Sequence, residues 1–108
     1  MAQTLKLLGQ SAPSATTETD LYTVPGATTT VVSSLVICNR STATTFRVYV
    51  SDAGAVTANK MYLYYDTPIA ANDTFIATIG ITLEATDVLR VYAGSANLSF
   101  NAFGAENT

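Results

Sequence analysis

The sequence predicts an all-β protein: a single antiparallel β-sandwich of jelly-roll or immunoglobulin-like type, with about seven to eight strands and an extended N-terminal arm. Three observations predict this class. Short segments alternate apolar and polar residues, turn-forming residues separate them at close spacing, and no long segment shows helical periodicity. The chain has 108 residues, which is the size of one domain. It has one Cys and no Trp, so the Cys…Trp…Cys core of antibody domains is absent.

The apolar stretch 31–50 predicts the central β-hairpin. Its first arm, 31–38, is apolar on both faces, which indicates a strand that is covered on both sides. The expected faces of this arm are Val31, Leu35 and Ile37 on one side and Val32, Val36 and Cys38 on the other.

The second arm of the hairpin, 46–50, alternates cleanly between apolar and other side chains. Phe46, Val48 and Val50 are expected to face a core. Arg47 and Tyr49 are expected to face outward, toward solvent or a partner. The polar stretch 39–45 provides the turn between the two arms.

The other strands are predicted from the same alternation and the turns around them. Pro25 and Gly26 end the strand that begins at Asp20, and Gly80 marks a bulge or a close approach in a long strand. The other predicted strands are 2–8, 20–24, 61–66, 74–83, 88–93 and 98–103.

The N-terminal region has the composition of a linker. Residues 9–19 are rich in Ser, Thr, Ala and Gly, which are unlikely to build a core of their own. The predicted organisation is therefore an N-terminal arm, 1–19, followed by a β-sandwich domain, 20–108. The arm is either a flexible terminus or a segment that reaches onto a neighbouring subunit.

The composition favours a protein that contacts other subunits. Charged residues make up 12% of the chain, about half the usual fraction. A soluble monomer normally keeps a charged surface, so much of this surface is expected to lie against other subunits. The net charge is −3 and every Lys and Arg is isolated, which argues against nucleic-acid binding. No membrane span and no signal peptide are predicted.

The residue types argue against an enzyme. The chain has no His, so the commonest general base and metal ligand is missing. The single Cys38 excludes a zinc cluster and is expected to be a buried, inert thiol. The carboxylates fall mostly at predicted turns, where they accept backbone hydrogen bonds. We therefore expect no catalytic residues, no metal, no cofactor and no small-molecule substrate.

The residues that point to an interface are aromatic and basic. The sequence Arg-Val-Tyr occurs at 47–49 and again at 90–92, and each copy places an Arg and a Tyr on one outward face. Arg and Tyr are enriched at protein interfaces. The alternative for these pairs is cross-strand stacking that covers a sheet. The candidate interface residues are Arg47, Tyr49, Tyr62, Tyr64, Arg90 and Tyr92.

Tyr62 and Tyr64 have a further alternative. As alternate residues of one strand, they are expected to share a face and to form an interface stripe or a carbohydrate-stacking platform. The interface is favoured, because sugar sites usually also contain Trp and clustered Asp or Asn.

Several stretches resemble a known family. They are LYTVPGATTTVVSSLVICNRSTATTFRVYVS, YLYYDTPIAANDTFIATIGITLEATDVLRVYA and LSFNAFGAE. The LYTVP opening, the YLYYD…IAANDTF segment and the final SFN-x-FG carry most of the likeness. Over residues 5–106 the chain resembles small virion structural proteins of tailed bacteriophages, including cyanophages.

The resemblance implies a non-enzymatic component of the virus particle. One role in such proteins is capsid decoration, in which a cement protein clamps neighbouring capsid subunits; the other is a tail, fibre or baseplate module. The implied partners are the major capsid protein and copies of the chain itself, in a symmetric homo-oligomer such as a trimer. The implied location is the virion, on the outer capsid surface, after synthesis in the cytoplasm of the bacterial host.

Overall fold

The computed structural model describes residues 2–108, which form two antiparallel sheets packed as a sandwich. This confirms the predicted fold class. Two short 3-10 turns, Asp52–Gly54 and Asn59–Met61, lie between the fourth and fifth strands. No helix within residues 2–108 is long and apolar enough to cross a membrane. The strands are β1 (Gln3–Ser11), β2 (Thr19–Thr23), β3 (Thr29–Asn39), β4 (Thr44–Ser51), β5 (Tyr62–Ile69), β6 (Thr74–Ala77), β7 (Ile81–Leu83), β8 (Val88–Ala93) and β9 (Leu98–Asn107).

The strand order is that of a jelly roll. One sheet has the order β1-β9-β3-β6, with β7 also paired to β3, and the other has the order β2-β8-β4-β5. All connections except β4–β5 and β6–β7 cross from one sheet to the other. With β6 and β7 counted as one interrupted strand, this is the eight-stranded double-sheet arrangement of a jelly roll.

Residues 2–108 form nine strands because the long predicted strand 74–83 is interrupted. Residues 78–80 leave the ladder between β6 and β7, and both short strands pair with β3. A Cβ on Gly80 would meet nothing within 4 Å, so this glycine marks the break without a close backbone approach.

The N-terminal segment differs from the predicted arm. β1 pairs antiparallel with β9 from Gln3 opposite Asn107 to Ser11 opposite Phe100, so residues 3–11 of the predicted arm belong to the sandwich. Alternation alone did not predict this, because residues 3–7 are all exposed and Leu8 is the apolar residue of β1 that packs against the core. The connection to β2 is held where the Thr16 N–H donates to the Ala93 carbonyl at 2.7 Å.

β3 is central within its sheet, with β9 on one side and β6 and β7 on the other. The prediction that both of its faces are covered was wrong, because Val36 and Cys38 on the outer face are only half-buried. A bulge between Val32 and Ser34 shifts the alternation, so Val32 joins Leu35 and Ile37 inside and Val31 lies outside. Cys38 is therefore less buried than expected.

The core lies between the inner faces of the two sheets. Phe46 of β4 is 0% exposed, and its ring lies 5.1 Å from that of Phe75 and 6.5 Å from that of Phe100, both in the facing sheet. Leu89 and Val91 of β8 are also fully buried, as their alternation predicted. Burial of such side chains contributes roughly 1.5–3 kcal/mol each to the free energy of folding.

Two glycines allow close backbone contacts that hold β1 and β9 in place. A Cβ on Gly9 would lie 2.2 Å from the Leu21 carbonyl oxygen, and one on Gly104 would lie 2.0 Å from the Val31 carbonyl oxygen. Neither space can hold a side chain without displacing a backbone, so both positions require glycine.

We expect Gly104→Ala to lower the free energy of unfolding by about 2 kcal/mol or more, because the added methyl pushes β9 away from β3. Gly80→Ala is the matched control and should change stability by less than about 0.5 kcal/mol, since its methyl meets open space. Urea unfolding of both variants measures the difference. Equal stability of the two variants would contradict the close approach.

Ile37→Asp should leave the domain unfolded, because the side chain is 0% exposed and an unpaired buried carboxylate is severely destabilising. Ile76→Asp is the control on the neighbouring β6, where the side chain is 65% exposed, and it should melt cooperatively near the wild-type temperature. Circular dichroism melts distinguish the two. If Ile37→Asp melts cooperatively near the wild-type temperature, Ile37 does not lie in the core.

Candidate functional site

The outer face of the β2-β8-β4-β5 sheet brings together most of the predicted interface residues. In the β4–β8 register Arg47 lies opposite Tyr92 and Tyr49 lies opposite Arg90. In the β4–β5 register Tyr49 also lies opposite Tyr62. Five of the six candidates thus meet on one face, although they come from three strands.

Tyr64 is the candidate that the structure places elsewhere. Its ring packs on the inner face, 6.1 Å from that of Phe46 and 5.3 Å from that of Phe75. The cause is an irregular register in β5, because Val48 pairs with Tyr64 while the adjacent Tyr49 pairs with Tyr62. The extra residue, Leu63, reverses the alternation. A carbohydrate platform made of Tyr62 and Tyr64 is therefore excluded.

The centre of the outer face is a stacked guanidinium, which we call the Arg47 clamp. The Arg47 guanidinium carbon lies 4.4 Å from the ring centroid of Tyr65 and 4.3 Å from that of Tyr92. Its Nε donates to Asp66 Oδ1 at 2.7 Å and its Nη2 donates to Asp66 Oδ2 at 3.4 Å. The Asp66 carboxylate raises the pKa of Arg47 further above its ordinary value, so the cation persists at any relevant pH. The Arg47 clamp therefore consists of Arg47, Tyr65, Asp66 and Tyr92.

The bulged backbone of β5 positions two members of the clamp. Asp66 has a φ of 47°, a left-handed conformation that Asp tolerates better than most residues. A second register shift falls here, between the Phe46 and Val48 pairs. Together the two irregularities place Tyr65 and Tyr62 on the outer face, with their centroids 4.8 Å apart in an edge-on contact.

Tyr65 and Leu63 are the functional candidates that sequence reasoning missed. Tyr65 is 57% exposed and Leu63 is 46% exposed, so both project from the β5 edge. Simple alternation along the predicted strand 61–66 places Met61, Leu63 and Tyr65 on one face and gives no sign of the bulges. The Thr67-Pro68 pair after Asp66 was the available signal, because Pro is confined to edge strands and irregular positions.

Tyr49 faces outward, as predicted, but it is not accessible. It is 1% exposed, and its ring packs 5.0 Å from that of Tyr62. Burial, and then a hydrogen bond to Glu18, raise the pKa of Tyr49 well above its ordinary value. A hydrogen bond from Thr57 is the main cause of the lowered pKa of Glu18. The Thr57–Glu18 hydrogen bond thus joins the β4–β5 connection to the segment before β2.

Arg90 has a structural role on the same face. Its Nε donates to Asp20 Oδ1 at 3.0 Å, and its Nη1 donates to the Ala55 carbonyl at 2.8 Å. Its Nη2 also donates to the Gly54 carbonyl at 3.3 Å. These bonds fasten the 52–58 loop to β8. The arginines of the two Arg-Val-Tyr sequences therefore have different structural roles. Arg47 supports an exposed aromatic surface, whereas Arg90 anchors a loop.

The accessible part of this face is therefore narrow and aromatic. Tyr65 and Leu63 form its projecting edge, and Asn59, Tyr62 and Tyr65 line a shallow depression beside it. We call the three residues Tyr62, Leu63 and Tyr65 the β5 ridge. Because the Arg47 clamp fixes Tyr65, the ridge is held in shape before any partner binds.

The carboxylates of Asp52, Glu84 and Asp87 come within 4.8 Å of one another. Asp87 is buried, and its two oxygens accept from the Ala53 N–H at 2.9 Å and the Glu84 N–H at 3.0 Å. Those bonds close two turns, which is the structural use expected of carboxylates at turns. The grouping is explained by turn formation.

No protein-family model matches the chain, and no curated protein matches it either. The expected relation to phage virion proteins therefore stays a prediction from the sequence stretches quoted above.

Arg47→Lys should lower the free energy of unfolding by about 1–2 kcal/mol, because an ammonium keeps the charge but loses both ring contacts and the forked bond to Asp66. Arg40→Lys is the control, since the exposed Arg40 side chain makes one hydrogen bond, to the Ala96 carbonyl. Its expected change is under about 0.5 kcal/mol. If the two substitutions cost the same in urea unfolding, the clamp does not stabilise the sheet.

Proposed function

We propose that this protein is a non-enzymatic bacteriophage virion structural protein, and specifically a capsid decoration protein that bridges neighbouring major capsid subunits. The β5 ridge is the observation that carries the proposal. Tyr65 and Leu63 are large side chains, 57% and 46% exposed, that project from β5 beside the Arg47 clamp. The resemblance to phage virion proteins supports the class of protein.

The ridge suits protein recognition because it is preorganised. Aromatic side chains and Arg dominate the binding energy of protein interfaces. Ordering a free side chain costs about 0.5–1.5 kcal/mol on binding. The Arg47 clamp already orders Tyr65 in the free protein, so binding does not require this cost for Tyr65. Tyr65 is still 57% exposed while it stacks on Arg47, so it remains accessible to a partner.

A cement protein acts by mass action. It binds the assembled lattice and not the free capsid subunits, so its binding free energy adds to the stability of the shell. Contacts that are weak singly become strong when one protein bridges two neighbours, because the second contact forms at a high effective concentration. A rigid sandwich is suited to this role because its outer faces keep a fixed separation.

Two other assignments have specific support. A tail, fibre or baseplate component would fit the same family resemblance. A carbohydrate-binding module at the host surface would use the depression formed by Asn59, Tyr62 and Tyr65, since an amide beside aromatic rings can hydrogen-bond and stack on a sugar. The fold does not choose between these roles, because jelly rolls occur in viral capsid and lectin domains alike.

Binding to particles tests the proposal. Purified chain is added to phage particles that have been stripped of it, and occupancy is measured by quantitative mass spectrometry against the major capsid protein. Wild-type occupancy should approach the abundance of the capsid protein. Tyr65→Ala should weaken binding by about tenfold or more, as for an interface hot spot.

Val56→Ala is the matched control, because Val56 is 90% exposed in the neighbouring loop but makes no part of the ridge. It should bind as wild type does. Occupancy far below that of the capsid protein would favour the tail assignment. Binding to a glycan array that Tyr62→Ala abolishes would favour the carbohydrate assignment, and either result would overturn capsid decoration.

A further inference from the structure

The four sheet edges of the sandwich are not equally protected. Exposed edges invite pairing with other strands, and proteins blunt them with bulges, short strands, proline or charge. The β5 edge is protected by two bulges, by the charge of Asp66 and by Pro68. The β6 and β7 edge is broken into strands of four and three residues. The β2 edge has five residues and a bulge between Asp20 and Tyr22.

The β1 edge lacks most of these protections. β1 has nine residues and contains no proline, and its only register shift lies between Leu7 and Gly9. Residues 3–7 therefore form a regular edge with one unpaired side. Its single charge, Lys6, donates to Glu106 Oε1 of the same chain at 3.2 Å, so that charge is already partnered.

The face beside this edge is apolar. Leu5 is 80% exposed and Leu7 is 42% exposed. Leu7 pairs with Phe103, which is 39% exposed, and Leu5 lines a shallow depression with Val31. Leu5, Leu7 and Phe103 thus continue one apolar surface from the edge onto the sheet.

The rest of this outer face is uncharged. Alternation and register place uncharged residues at every outward position of the sheet within residues 2–108. Besides Leu5, Leu7 and Phe103, they include Gln3, Gln10, Val31, Val36, Cys38, Ile76, Thr82, Ser99, Asn101 and Ala105.

We propose that β1 pairs with β1 of a second copy of this chain, antiparallel about a twofold axis, to join the two β1-β9-β3-β6 sheets into one. A twofold axis perpendicular to the sheet makes two identical strands run antiparallel. The same β1 edge of each copy can therefore form both sides of the contact. Charge favours this partner. The chain carries a net charge of −3, and two copies repel least where they meet through an uncharged face.

The position of the twofold axis follows from the charge and the bulge. An axis at Lys6 would place two ammonium groups directly opposite each other, which is destabilising. An axis at Leu7 would run the pairing through the shift between Leu7 and Gly9. An axis at Leu5 avoids both, since it pairs Leu5 with Leu5 of the second copy and Gln3 with its Leu7.

The contact is small, so the dimer should be weak in solution. A pairing centred on residues 3–7 buries less than the roughly 1,000 Å² that a stable interface needs. We therefore expect a concentration-dependent monomer–dimer equilibrium that multivalent assembly would strengthen. Such a pair builds even-numbered assemblies, in contrast to the trimer that the family resemblance implies. The proposed β1–β1 pairing does not depend on the proposed function, because it concerns the isolated chain.

Sedimentation velocity over a wide range of concentrations tests the pairing. Wild type should shift from monomer toward dimer as concentration rises. Leu5→Lys should reduce dimer formation by tenfold or more, because two lysines would meet at the axis. Ile76→Lys is the control at an exposed apolar residue of the same sheet, away from β1, and should dimerise as wild type does. Circular dichroism checks that both variants fold.

Disulfide cross-linking tests the register. In a Cys38→Ser background, Leu5→Cys should form a disulfide-linked dimer under mild oxidation, because directly paired residues have Cα atoms about 4.5–5.5 Å apart. Leu7→Cys should not, since the two copies of residue 7 would lie about 14 Å apart along the strands. A wild-type chain that stays monomeric throughout, or a dimer that Leu5→Lys leaves intact, would overturn the proposal.

Discussion

The contact that joins the two sheets is the aromatic packing around Phe46. Its fully buried ring meets Phe75 and Phe100 of the facing sheet and Tyr64 of its own sheet. Aromatic pairs of this kind contribute about 0.5–1.5 kcal/mol each beyond the burial of their area. Because the inner faces meet here, each sheet has one outer face free for other contacts. The positions of the Arg47 clamp and of the apolar surface formed by Leu5, Leu7 and Phe103, called here the β1 face, both follow from this packing.

Bulges then decide which side chains reach those outer faces. In β5 the extra residues send Tyr64 inward and Tyr62 and Tyr65 outward, within a single aromatic run. In β3 a similar shift moves Val31 to the outer face, where it joins the apolar surface beside Leu5. A regular alternation would have produced neither the β5 ridge nor the present β1 face.

The parts of the fold that depend on alternation could be predicted from the sequence. The inward Phe46 and Val48, and the inward Leu89 and Val91, followed from period-two patterns, and so did the sandwich itself. The parts that depend on register could not. The pairing of β1 with β9, the inward turn of Tyr64 and the place of Tyr65 require knowledge of the opposing strand.

The exposure of the side chains at the candidate site also could not be predicted from the sequence. Tyr49 and Arg90 face outward as their pattern indicated, yet Tyr49 is buried beside Glu18 and Arg90 is hydrogen-bonded to loop 52–58. Nothing in the local pattern shows that a distant loop folds back over a strand. The Arg-Val-Tyr pattern therefore predicts which side chains face outward, whereas the accessible residues on that face are those of the β5 ridge.

The β5 ridge and the β1 face lie on opposite sides of one rigid sandwich, which suits a protein that links a capsid subunit to another copy of itself. A cryo-electron microscopy map of the assembled particle tests this arrangement most directly. We expect density for the chain on the outer capsid shell, with the β5 ridge against a capsid subunit and the β1 edges of two copies side by side. Density confined to the tail, or a ridge that faces solvent on the shell, would contradict it.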